Sequence, residues 1–429
     1  MWLRSRYTVI PFIFFIAGFV HSGKVYSQGL GNSPYSVLGV GEVYSEAFAG
    51  NQSSGEAGVA YSNGLHVNNL NPALWVKGRV TMFEFGTIFQ YKKINDLSSS
   101  QRDLGGNLAY LGLSLPVGRN WTAGVSLKPH SFVDYESRFA SKIPGTNYNA
   151  FYSSNGKGAI NQASFVNSFQ IGKYLSAGLE VSYLFGNVTK STTAQTVFGD
   201  GNDFLVSKNN KINYSDVLLR GGAAVSIPIK KENKLNLNFG GTYTLGNDIN
   251  STQTTTFELT KNSFVVGNPD TLIADRNRSF YLPHNFRIGT TLTAPYHWTI
   301  AVDYQHQAWG EYKNKQETSS SSMADVGKIH VGAEYIPRFS STRYFDLVTY
   351  KVGFNHGKMP YSISGVELKE TNISLGFSLP IGRSANSLHL TFIGGQRGVP
   401  SRNSVKEQYG RVVLGFTLAD RWFEKMRID

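Results

Sequence analysis

The chain has 429 residues, with 41 Lys+Arg against 29 Asp+Glu, 13% aromatics, 45 glycines and no cysteine. The absence of cysteine excludes a disulfide-stapled scaffold, a Cys-ligated zinc or iron–sulfur protein, a cysteine hydrolase and a lipoprotein anchor. Charged residues, at 16%, are too few for an ordinary soluble domain (about a quarter), and a mean hydropathy of −0.23 is too polar for a helical membrane bundle; both suit strands with one face in lipid and one in water.

Residues 1–27 read as a cleaved export signal. Arg4 and Arg6 form the basic start, and Val9 to Val20 is an apolar run too short to span a bilayer as a helix. The cut is expected after Ser27, with Ser22 as a second candidate. Residues 28–78 are rich in Gly, Ser and Asn and irregular: either a disordered periplasmic tail or a plug folded into a barrel mouth.

From residue 79 the pattern has period two. At 298–306, Trp298, Ile300, Val302 and Tyr304 alternate with Thr299, Asp303 and Gln305; at 372–379, Ile373, Leu375, Phe377 and Leu379 alternate with Asn372, Ser374, Gly376 and Ser378. Fourteen such runs are predicted: 79–93, 106–117, 121–135, 158–171, 174–190, 212–229, 234–249, 279–294, 298–313, 325–337, 345–357, 370–381, 387–396 and 408–420. Long polar connections alternate with tight turns. Pro116, Pro228, Pro295, Pro337 and Pro380 lie at five of the turns, where a missing N–H costs the ladder least. An even strand count with loops sorted by length predicts an all-β fold, a fourteen-stranded antiparallel transmembrane β-barrel with both ends on the periplasmic side. The expected organisation is a signal at 1–27, an N-terminal plug at 28–78, the barrel at 79–420 and a short periplasmic tail at 421–429.

If the apolar face meets lipid, Glu84, Glu180, Arg220, Arg287, Asp303, Lys328, Glu334 and Lys351 point into the lumen. A base exposed at the bilayer midplane would cost about 2–4 kcal/mol. These charges are expected to pair across strands or hold the plug. The same face carries Gly86, Gly178, Gly222, Gly240, Gly289, Gly332, Gly353 and Gly376. That recurrence fits either room for the backbone of 28–78 or simple strand curvature.

The residues Asn68-Asn69-Leu70-Asn71-Pro72-Ala73-Leu74, after a Gly/Ala-rich stretch, resemble the end of the N-terminal hatch of the FadL-type outer-membrane transporters. The Pro283-to-Gly289 strand followed by the Trp298-led strand is similar to that superfamily as well. The Asn32-Ser33-Pro34-Tyr35-Ser36 opening resembles a Bacteroidota-type subgroup that includes the plug barrel of type IX secretion. The resemblance implies a fourteen-stranded barrel with Asn71, Pro72 and Ala73 as the hatch motif. It also implies a third strand kinked inward beside an opening in the wall, for which Pro129 is the candidate, although Pro129 also suits a rim position beyond the bilayer.

No Gly-x-Ser-x-Gly elbow, His-Glu-x-x-His or phosphate loop is present. The acidic turn Gly199-Asp200-Gly201-Asn202-Asp203 lacks the later Glu of a calcium loop and reads as solvated. No enzyme, catalytic residue, metal or cofactor is expected. The expected function is passive uptake of a fatty-acid-like hydrophobic small molecule across the outer membrane of a Gram-negative cell, gated by the plug. The alternative is a non-transporting stoppered barrel serving an outer-membrane secretion-channel protein. Partners are then membrane lipids, a hydrophobic solute or that channel protein, not nucleic acid, and the barrel is expected to be a monomer.

Overall fold

The computed structural model describes residues 30–421, except 98, 198–202, 231–234, 312–320, 364–365, 383–384 and 402–403. The expected signal, most of the acidic turn and residues 422–429 lie outside the described residues.

Fourteen strands form one closed antiparallel barrel. They are β1 (Thr81–Asn95), β2 (Ser100–Gly118), β3 (Trp121–Lys142), β4 (Asn149–Ile171), β5 (Leu175–Val197), β6 (Asp203–Lys230), β7 (Leu235–Thr244, resumed as Asn247–Lys261), β8 (Asp270–Leu282, resumed as Asn285–Ala294), β9 (Trp298–Gln307), β10 (Ser321–Met323, resumed as Val326–Tyr335), β11 (Thr349–Ile363), β12 (Val366–Pro380), β13 (Ser387–Arg397) and β14 (Lys406–Asp420). β14 pairs with β1 from Asp420↔Thr81 to Lys406↔Asn95, which closes the ring. Among the described residues no helix is long and apolar enough to cross a membrane; the crossing is made by strands, which satisfy most of their backbone groups by pairing around a ring.

Alternation puts each strand's apolar set outside. Phe83, Phe89, Val125, Phe165, Leu179, Val181, Ile300, Val302, Ile373 and Leu375 are all exposed, and together they form the lipid-facing belt. The polar set turns inward and is buried, as with Glu84, Gln90, Ser164, Ser168, Ser176 and Thr391. Pro116 and Pro228 sit at register shifts next to their turns, where the missing donor is tolerated.

Strands β3 to β8 are longer than the alternation indicated. Stretches expected as loops within 136–157, 191–211 and 250–278 continue largely as ladder. Both faces of these extensions stand beyond the apolar belt, so Ser, Thr, Asn and Lys suit either side and no period-two signal marks them. At the opposite rim, the 345–357 run begins one turn late: Tyr344–Leu347 is a short helix and β11 starts at Thr349.

Residues 30–78 lie inside the barrel. They hold a 3-10 turn (Pro34–Val37), a two-residue strand (Glu42–Val43), one helical turn (Ala49–Gln52) and a 3-10 helix (Pro72–Lys77). Phe48, Val59, Leu70, Ala73 and Trp75 are buried. Phe48 stacks on Tyr110 of β2 with ring centroids 4.0 Å apart.

Candidate functional site

The lumen is built from the N-terminal segment and the inward face of the wall. Asn71 caps the Pro72–Lys77 helix: its Oδ1 accepts the Ala73 amide at 2.9 Å, and Pro72 occupies the first turn. Asn71 Nδ2 donates to the carbonyls of Val59 (2.7 Å) and of Ala223 on β6 (3.1 Å). The Asn-Pro-Ala stretch is thus fixed to the wall as well as to itself. A Cβ on Gly178 would strike Pro72, and one on Gly222 would strike Asn71. Gly240 faces Ala60, Gly332 faces Ser54, Gly353 faces Gly55 and Gly376 faces Ser53 in the same way, while Gly289 borders Asp303 and Val59. Gly86 differs, since it makes room for the Tyr110 ring.

The inward charges meet the same segment. Arg220 bonds to Glu180, to Glu46 (3.2 Å) and to the Asn69 carbonyl (2.9 Å). Asp303 accepts the amides of Gly58 (2.9 Å) and Val59 (3.0 Å), leaving Arg287 3.9 Å away. Lys351 donates to the Gly50 carbonyl at 2.8 Å and pairs with Glu334 at 3.1 Å. Glu84 accepts from the Val67 amide at 2.6 Å and from Thr417 at 3.0 Å. Lys328 pairs with Glu370 at 3.1 Å.

A further cluster escaped the sequence reading. Arg397 holds Glu42 through two bonds of 2.7 Å and Glu407 at 2.6 Å; Lys92 lies 3.6 Å from Glu42, and Arg411 lies 3.3 Å from it. Burial alone would raise the Glu42 carboxyl, but Arg397, Lys92 and Arg411 hold it well below the ordinary carboxylate range. Glu46 is lowered similarly: burial opposes the charge, and Arg220 leads the cations that favour it. Lys92 already lay in the 79–93 run on the inward face of Glu84, and Arg397 lies one residue past the 387–396 run; following those faces was the available signal.

Between Glu42–Glu46 and the wall is a chamber of about 170 Å³. Six Lys and Arg side chains and five Glu side chains line it, so it is a charged chamber and not an apolar one. An apolar cluster faces the lumen nearer the loops: Val40, Val133, Tyr135, Ile160, Leu184, Leu218, Ile249, Leu282, Trp309 and Val326.

The wall itself has a seam. The β2–β3 ladder runs from Gly118↔Trp121 to Leu111↔Leu127 and stops. β3 continues to pair with β4, with a register shift between Pro129 and Ser131. Pro129 is buried within β3 and pairs with Asn161, two residues past the end of the β2 ladder. The freed edge of β3 is taken by the N-terminal segment: Glu42 pairs with Phe132 and Val43 with Ser131, the Tyr44 amide donates to His130 (2.9 Å), and the Ser33 amide donates to Asp134 (2.8 Å).

The BamG family model matches residues 9–429. The chain belongs to the BamG family. Among solved structures, this BamG-family barrel is similar to the CymD monoaromatic hydrocarbon channel (12% identity, TM-score 0.56, 89% of this chain and 99% of that one). It is similar too to the Pseudomonas putida toluene transporter TodX (14%, TM-score 0.58, 89% and 99%) and to a Pseudomonas aeruginosa FadL homologue (10%, TM-score 0.57, 88% and 98%). No curated protein sequence matches it. At these identities the likeness concerns the fold alone: the BamG-family chain shares the closed fourteen-stranded barrel of these channels. Among the described residues, no group of three or more metal-ligating side chains is placed to hold an ion.

Proposed function

We propose that this protein passes hydrophobic small molecules passively through the outer membrane, with residues 30–78 as the plug and the β2–β3 seam as the exit into the bilayer. The observation that carries the reading is the seam: the wall ladder ends at Leu111↔Leu127, and the plug supplies the missing neighbour of β3. Withdrawal of residues 36–44 would uncover Val133 and Tyr135, the members of the lumenal apolar cluster beside the gap, giving an apolar solute a surface to follow. Pro129 and the shift after it let β3 leave the cylinder. The relatives' titles, a monoaromatic hydrocarbon channel and a toluene transporter, support a hydrophobic cargo.

The test uses a cross-strand lock. Val43 and Ser131 are direct partners in the ladder, and the native chain has no cysteine. The Val43→Cys/Ser131→Cys protein in liposomes should take up toluene when reduced and lose uptake when oxidised. Equal uptake in both states would refute the plug as a valve.

One observation favours a second reading. The charged chamber and the dense ion pairing suit a stopper that stays in place, in a barrel that serves a protein channel and carries no solute. Absence of uptake even after the plug is released would select it.

A further inference from the structure

β2 has β1 from Ser100 to Ser114 on one side, but on the other side it has a ladder partner only from Leu111 to Gly118. The plug gives its backbone to β3. Toward β2 it offers Asn32, which meets the side chains of Gln101 and Asp103, and, past the gap, Phe48 and the Ala49 amide, which meet the Tyr110 side chain. From Leu104 to Ala109, among the described residues, no strand or plug backbone covers this side of β2.

In an antiparallel ladder, alternate residues turn their backbone groups to opposite sides. The amides of Leu104 and Leu108 donate to the side chains just before them, Asp103 Oδ1 at 2.8 Å and Asn107 Oδ1 at 2.7 Å. The backbone of Leu104, Gly106 and Leu108 therefore faces the gap. Their height is that of the lipid belt. Leu104 is 75% exposed and Leu108 41%, and the β1 residues opposite Leu104 and Gly106 are the exposed Tyr91 and Phe89. In hydrocarbon, unpaired backbone groups cost several kcal/mol each. Asp103 and Asn107 relieve two amides but leave the carbonyls and the Gly106 amide. The devices that usually blunt an edge, such as lysine or proline, do not occur between Leu104 and Leu108.

We propose that the β2 edge Leu104–Leu108 accepts an extended strand of another polypeptide. The added strand runs antiparallel to β2, apolar at the alternate positions that face lipid. The edge itself argues for this occupant. It offers carbonyl acceptors at every second residue, about 7 Å apart, with the Gly106 amide as a donor between them, which a strand satisfies in register and neither a hydrocarbon nor an acyl chain can. This goes beyond solute passage, and its readout does not involve uptake, so the two readings fail separately.

The full-length protein in its native outer membrane, carrying a photo-crosslinking amino acid at Leu104 or at Leu108, tests the proposal. Both sites should give adducts with one polypeptide, with contact points about four residues apart and in reverse order along the partner. Val352, on the belt away from the seam, should give none. Gly106→Pro removes the gap-facing amide and should reduce the adducts at least tenfold. Leu104→Lys, read from a crosslinker at Leu108, serves if the proline variant fails to fold, and should do the same. Adducts with lipid only, with a second copy of this chain, or without a fixed register would overturn the proposal, as would adducts unchanged by both variants.

Discussion

Arg397 grips the carboxylate of Glu42 through two hydrogen bonds of 2.7 Å, while the backbone of Glu42 pairs with Phe132 on β3. One residue of the plug thus ties β13 to the strand on the far side of the seam. Arg397→Met leaves Glu42 and Glu407 buried with less compensation. Removing one member of a buried ion network costs about 3–5 kcal/mol. The expected result is a lowered denaturation midpoint and faster proteolysis of residues 30–44, with the barrel ladder retained. Unchanged proteolysis would show that the cluster does not hold the plug.

The facing glycines yield a second prediction. Gly353 lies against the backbone of Gly55, and backbone cannot yield as a flexible side-chain end does. Gly353→Val should displace the Ser53–Gly55 turn, at a cost of about 1–3 kcal/mol or more. Gly394→Ala, where nothing lies within 4 Å of the added carbon, should be neutral. Thiol labelling of a Ser54→Cys reporter distinguishes the two: labelling should rise with Gly353→Val and stay low with Gly394→Ala.

These glycines also show how far the sequence could be read. Alternation located each of the fourteen wall strands, because residues such as Val302 and Asp303 must choose between lipid and lumen and cannot exchange faces. The same rule set Glu84, Arg220 and Lys351 inward. What they would meet was not legible, since contact between Lys351 and Gly50 spans 301 residues and no periodicity encodes it. The extensions of β3 to β8 were missed for the opposite reason: with water on both faces, no choice is imposed. The seam was not legible as such: Pro129 lies two residues past the last β2–β3 pair, but the end of the β2 ladder at Leu111 has no proline or charge to announce it.

Asn71 combines a helix cap with two bonds to carbonyls, one of them on the wall. Asn71→Ala loses the cap, worth about 0.5–2 kcal/mol, and leaves the carbonyls of Val59 and Ala223 without that donor. Asn71→Asp keeps the cap acceptor but not the donor. Both variants should loosen the plug, with aspartate the worse, because its buried carboxylate would face the two carbonyl oxygens. If aspartate behaved as wild type in hydrogen exchange across 57–78, the wall bond would carry no weight.

The plug should respond to acid in two separate windows. Burial first, then Lys351 and His389, hold the His66 imidazole well below its ordinary value of 6.5. In the folded protein His66 therefore stays neutral, while in the unfolded chain it takes a proton as the pH falls past 6.5. The unfolded state then binds more protons, and stability declines as the pH falls from about 6.5 toward the folded value. Glu42 acts lower. Its folded value lies well below 4.5, so its stabilisation is present above 4.5 and is lost as the pH falls through the folded value. Between pH 6.5 and 4.5 the denaturation midpoint should fall with acid, and His66→Leu should make that slope shallower without altering the steeper loss below 4.5. Arg397→Met should do the reverse. A slope between 6.5 and 4.5 that His66→Leu left unchanged would assign the acid response to another group, with His389 next in line by its 5.6 Å ring contact with His66.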